Sequence, residues 1–150
     1  MTSNALIGIA GVHSVAAELS RRGMIALPTV RNTAAYDIVA LNVEGTRHAN
    51  IQVKASSKKV SFFPMPHASK VRDGRHDYYV QVRWLKHEKC YDCFLLKGKE
   101  ARIAVRSGSA HQAGSIRKGT AKKVFPAIYV SRRNEREMVR WRRAWEKWAL

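Results

Sequence analysis

The sequence predicts an α/β (α+β) fold, a β-sheet flanked by helices. Three observations lead there: helical spacing of apolar residues near the N-terminus, two pairs of β-type runs separated by turn signals, and an amphipathic stretch at the C-terminal end. The 150 residues, 45% of them hydrophobic, suit one domain spanning 1–150 with a single core. No internal repeat and no second domain are visible.

Val12, Val15, Ala16 and Leu19 in "GVHSVAAELSRRGM" recur at helical intervals, and Gly23 is placed to end the run. The spacing predicts a helix over about residues 12–22. "MIALPTV" reads as a short strand that Pro28 confines to an edge or an early end. "YDIVALNV" and "HANIQVKAS" are two further strands, joined by "EGTR", where Gly45 can take the positive φ of a hairpin turn. The stretch "SSKKVSFFPMPHASKVRDGRH" reads as a basic, Pro-punctuated loop, followed by strands in "DYYVQVRWL" and "KCYDCFLL" that break near Lys86 to Glu88. A weak helix is expected in "KEARIAVRS", and an aperiodic loop in "GSAHQAGSIRKGTAKK". The terminal "NEREMVRWRRAWEKWAL" predicts an amphipathic helix over about residues 133–149, with Met138, Trp141, Trp145 and Trp148 on one face.

Twenty-eight Lys and Arg against eleven Asp and Glu give a formal net charge of +17, which favours a polyanionic partner, nucleic acid above all. Ribosome or membrane-surface association would also satisfy that charge. The N-terminus lacks the basic segment of a signal peptide, and no run approaches the roughly 18 apolar residues of a membrane span, so the expectation is a soluble, cytoplasmic protein. Cys90 and Cys93 form a lone C-x-x-C on a strand with no second ligand pair, which favours two reduced thiols over a zinc or redox site.

The hairpin raises a question of its own. Centred between Glu44 and Gly45, it pairs Asp37 with Gln52, Ile38 with Ile51 and Val43 with Thr46. Period two then gathers Asp37, Gln52 and Lys54 on one face, and Ile38, Ala40, Ile51 and Val53 on the buried one. A carboxylate and an amide oxygen are hard donors suited to Mg²⁺, which keeps several waters, and a neighbouring ammonium can position a polarised water and stabilise charge on phosphate. Glu18 offers a third oxygen if its helix end lies over the same strand ends. Singly, each residue has a plain explanation. Asp37 can pair with Arg31, Glu18 can pair with Arg22, and Gln52 and Lys54 alternate as on any half-exposed strand. Asn32 and Ser56 can contact phosphate or be ordinary turn and strand-end groups, and His13, a lone histidine, is left outside the catalytic set.

In order and spacing, Glu18 on a helix, Asp37, and then Gln52-Val53-Lys54 resemble the PD-(D/E)XK nuclease superfamily, notably small members such as Holliday-junction resolvases and a homing-endonuclease branch with Gln in the second acidic slot. The resemblance covers about residues 11–57, with Tyr36 where that family usually carries Pro. It implies a restriction-endonuclease-like core with a mixed central sheet. It also implies Mg²⁺ (Mn²⁺ as an alternative) held by Asp37, Gln52 and Glu18, and a Lys54 that serves the attacking water. The expected activity is divalent-metal-dependent hydrolysis of DNA phosphodiester bonds. The alternative is a non-catalytic basic nucleic-acid-binding protein of the same fold, and a third reading is a ribosome-associated protein.

For DNA contact, Lys58, Lys59, Lys70, Arg72 and Arg75 follow the Lys54 strand, and Arg117, Lys118, Lys122 and Lys123 form a second basic patch; solvated loops would look the same. Cutting two strands usually needs two sites, so a homodimer is expected, with the terminal Trp-bearing helix as one surface. No base-reading motif indicates a sequence preference.

Overall fold

A Ser3 hydroxyl that accepts the Leu6 N–H at 3.3 Å opens the first helix, α1 (Asn4–Arg21), well before the point where its apolar spacing becomes regular. The helix closes as the sequence implies. Gly23 takes φ 82°, its N–H reaches the Ser20 carbonyl, and the Met24 N–H reaches that of Leu19. These two bonds make a Schellman motif. The computed structural model describes residues 3–30, 36–57, 62–85, 87–106, 127–129, 142, 144 and 145.

Five strands form the main sheet: β1 (Ile25–Pro28), β2 (Ile38–Leu41), β3 (His48–Ser56), β5 (Asp77–Leu85) and β6 (Cys90–Lys97), in the order β1-β2-β3-β5-β6. The β3–β5 pair is parallel and the others are antiparallel, so the sheet is mixed. Pro28 ends β1, an edge strand as expected. The hairpin register is the expected one, with Ile38 opposite Ile51. Its turn is wider than two residues. Asn42 closes it by accepting the Arg47 N–H on its side chain and donating to Glu44 and Thr46, while Gly45 takes φ 68°. Val43 and Thr46 therefore lie in the turn and not in the ladder.

Alternation along the strands divides the interior in two. On one face α1 packs Val15, Ala16 and Leu19 against Ile38, Ile51, Val53, Val80 and Val82. On the other, helix α2 (Gly98–Arg106) packs Ala101, Ala104 and Val105 with Tyr79, Phe94 and Leu96. The segment expected as an uninterrupted loop contributes to this second core. It contains β4 (Phe62–Pro64), paired with β7 (Ala127–Tyr129), and a 3₁₀ turn, Ala68–Lys70. Phe63, Val71 and Ile128 are buried there, which is the apolar gain that orders so polar a stretch.

Charge is also used inside. Asp92 is fully buried and accepts Arg83 at 2.8 Å and Arg142 at 2.9 Å, so one carboxylate fastens the end of the chain to β6. Arg142, within the stretch where a terminal helix is expected, forms an isolated β-bridge with Phe94. The remainder of that stretch and residues 107–126, where an aperiodic loop is expected, lie outside the described residues. Among the described residues no helix is long and apolar enough to cross a membrane.

Helix α1 lies flush on β3. A Cβ on Gly11 would stand 2.4 Å from that of Ala55, whereas one on Gly8 meets nothing within 4 Å. The same substitution therefore acts with opposite signs: Gly11→Ala is expected to cost about 1–3 kcal/mol by overpacking, and Gly8→Ala to add about 0.5–1 kcal/mol through helix propensity. Urea midpoints at unchanged m-value check both.

Candidate active site

Strand β3 outruns β2. Their ladder ends at Ile38 and Ile51, and beyond it the odd-numbered residues of β3 still turn their N–H groups toward the edge that β2 has left. Asp37 fills that gap. Its own N–H donates to the Ile51 carbonyl at 2.8 Å and its carbonyl accepts from Thr29 at 2.9 Å, which fixes the backbone from both neighbours. Its Oδ2 accepts the Val53 N–H at 2.7 Å and the Gln52 side-chain amide at 2.5 Å. The carboxylate thus ends the ladder and faces the predicted amide.

Gln52 and Lys54, on the face opposite Ile51 and Val53, line a cavity of about 430 Å³ together with Met65, Lys70, Arg72 and Tyr79. The chain around Lys70 and Arg72 is held from several sides. Arg102 of α2 donates to the Val71 carbonyl at 2.6 Å and pairs with Asp73 at 2.7 Å, and Asp77 accepts the Gly74 N–H. The Arg72 N–H reaches the Tyr79 hydroxyl at 2.9 Å, while its guanidinium donates to the Tyr36 hydroxyl and lies 4.9 Å from that ring's centre. Burial pushes the Tyr79 phenol above its ordinary value, so the group stays a neutral hydroxyl. Tyr36, at the position next to Asp37, thereby ties the basic loop to the carboxylate.

Asp37 also borders a cavity of about 470 Å³ on the α1 face, lined by Asn4, Gly8, Val12, His13 and Thr29 among others. His13 is the ionisable helix residue that lines this cavity with Asp37, and Glu18 does not line it. Five residues further along, Glu18 lies about 7.5 Å down the helix axis. There it is held by Arg21 at 2.9 Å and Arg22 at 2.8 Å beside a separate hollow with Ser14, Tyr91 and Trp145. Glu18 thus lines neither of the cavities that Asp37, Gln52 and Lys54 border. The cause is the early start of α1, which carries the first half of the helix, and not its centre, past Asp37.

Of the expected DNA contacts, Lys70 and Arg72 share the cavity with Lys54, whereas Arg75 borders another hollow with Tyr78, Lys97 and Lys99. Lys58, Lys59, Arg117, Lys118, Lys122, Lys123 and Asn32 lie outside the described residues. Ser56 ends β3, half-buried. Cys90 and Cys93, three apart on β6, lie on opposite faces and are not joined by a disulfide. Among the described residues no three His, Cys, Asp or Glu side chains converge as a metal cage.

No protein-family model matches the chain, and no curated protein matches it in sequence. Among solved structures it is similar to the bacterial homing endonuclease I-Ssp6803I, with a TM-score of 0.56 at 16% identity, over 98% of this chain and 91% of that one. The likeness is one of fold: a mixed five-stranded sheet with two helices, of nuclease-like α+β type.

Removing the Asp37 carboxylate leaves the Val53 N–H without its acceptor, so Asp37→Ala is expected to lower stability by about 1–3 kcal/mol in urea unfolding, quite apart from any chemistry. Glu18 behaves differently. The hydrogen bond from Arg21 holds its carboxyl below the ordinary value against the opposing effect of burial. A depressed folded-state value means stability present above the unfolded carboxyl range and lost as pH falls through the folded one. Glu18→Gln should therefore be less stable than the natural chain near neutral pH and equal to it in acid, as thermal unfolding against pH would read.

Proposed function

We propose that this chain is a divalent-metal-dependent DNA endonuclease of PD-(D/E)XK-like type, with Asp37, Gln52 and Lys54 at the reacting centre. One observation carries the reading. A carboxylate and an amide meet where β2 parts from β3, and the amide and Lys54 open on a cavity whose charged lining is entirely basic. Formal charge of +17 and the fold shared with a homing endonuclease support DNA as the partner.

The donors suit a hard, hydrated cation. Oδ2 of Asp37 is occupied by Val53 and Gln52, while Oδ1 has no hydrogen bond among the described residues. A half-turn of the Gln52 amide would set its oxygen beside it. Two protein oxygens, with water and phosphate completing the shell, fit Mg²⁺, with Mn²⁺ as the alternative. Such an ion, when bound, polarises water and offsets phosphate charge. Glu18 has no part in this set, and His13 is the α1 side chain placed to hold water or phosphate at Asp37.

The protein's own groups account for the rest. In hydrolysis a water oxygen bonds to phosphorus, the phosphorus–ester oxygen bond breaks, and the departing oxygen takes a proton. Lys54, which has no ion pair among the described residues, can donate to that water and to the phosphoryl oxygens on which charge accumulates. Lys70 and Arg72 are placed to hold the flanking phosphates. Two such centres, brought together in a homodimer, would serve both strands of a duplex or both arms of a junction.

A second reading is favoured by one fact: position 52 carries an uncharged Gln, and no group of three acidic, His or Cys side chains forms among the described residues. On that reading the chain binds nucleic acid without cutting it. Supercoiled plasmid and a four-way junction, incubated with Mg²⁺, Mn²⁺ or EDTA, separate the two. Metal-dependent cutting that falls about 10²–10³-fold in Lys54→Met, with binding retained, is the expected result. Salt-sensitive binding without cutting would transfer the assignment to the binding protein.

A further inference from the structure

Gln81 is completely buried on β5, and its amide nitrogen donates only to the Met65 sulfur at 3.6 Å, a weak acceptor. Its Oε1 is the one buried side-chain polar atom without a partner among the described residues. An orphaned interior carbonyl is costly enough that its presence calls for a reason. The register supplies one. Gln81 stands beside Lys54 of β3 and beside Phe94 of β6, on the same face of the sheet. The other polar neighbours on that face are already used: Tyr79 accepts the Arg72 N–H, and Arg83 donates twice to Asp92. Lys54 has no hydrogen-bond or ion-pair partner among the described residues, has three donors and no acceptor, and shares its cavity with Met65.

We infer that Gln81 is a positioning residue for Lys54: a turn of the Lys54 side chain, whose ammonium stands clear of Oε1 in this conformation, brings that nitrogen onto the orphaned carbonyl and holds it on the Gln52 side of the basic cavity. Adjacent strands stand about 4.8 Å apart, well within the reach of a lysine side chain folding back onto its neighbour. A carbonyl does this without adding charge, so the cavity stays basic toward phosphate while the ammonium loses its freedom to swing. The catalytic significance rests on the nuclease reading, but the contact itself does not.

The test follows Lys54 directly. The full chain is acetylated briefly with acetic anhydride, and labelling at each lysine is read by mass spectrometry of its peptides. Gln81→Met, close in shape and without the acceptor, should raise labelling of Lys54 about fivefold while Lys70, in the same cavity, is unchanged. Gln81→Glu, which keeps an acceptor, should restore protection. Unchanged Lys54 labelling in a folded Gln81→Met protein, accompanied by a gain in stability, would overturn the inference, because the orphan carbonyl would then be merely unsatisfied. Should the Met variant not fold, Gln81→Leu carries the same comparison. The two readings fail separately: cleavage without a labelling response removes Gln81 from the scheme, and a labelling response without cleavage keeps the contact and removes the nuclease.

Discussion

The geometry of the site depends on one hydrogen bond, the Val53 N–H to the Asp37 carboxylate. A sheet whose strands differ in length must leave main-chain donors exposed where the shorter strand stops. Here the first such donor is met by a side chain and not by another strand. That choice brings a negative group to the point where β2 and β3 separate, and the next polar side chain on β3, Gln52, bonds the same oxygen. The carboxylate in this position is thus a structural one whatever its chemistry, held by the β3 main chain and, through its backbone, by Thr29.

The two cores divide the labour around this point. The α1 core is built from β-branched strand residues against a helix with a glycine at the crossing, so helix and strand approach closely. The α2 core is looser in origin, assembled from a Pro-containing segment, a short second sheet and one helix. The basic cavity opens on this second side, where Arg102 and Tyr79 hold the backbone around Lys70 and Arg72. The rigid half positions the carboxylate and the assembled half positions the cations.

The hairpin was the most legible part of the chain, because alternation over Ile38–Leu41 and His48–Ser56 leaves one register that buries Ile38, Ala40, Ile51 and Val53 together. Even a wider turn around Asn42 did not shift it, since burial outweighs turn preference. The start of α1 was not legible: "NALIGIAG" has no acidic first turn and two glycines, and only the Ser3 cap and packing on β3 carry it. That miss displaced the helix residue near Asp37 from His13 to Glu18. Strands β4 and β7 were hidden for another reason, because each is three residues long and pairs only with the other across a long separation in sequence. Gln81 read as one polar residue in a strand, and nothing local distinguishes a buried glutamine from an exposed one.

The two rims of the main sheet are each interrupted against main-chain growth, in different ways. At β1 the edge ends on Pro28, which has no N–H to offer. At β6 the bridge from Arg142 to Phe94 occupies part of the outer rim, fastened by the buried Asp92 pair. A chain built this way resists strand-by-strand polymerisation. Any assembly between copies must then be decided by side chains, where sign and shape can select a partner, and not by the indiscriminate pairing of backbones.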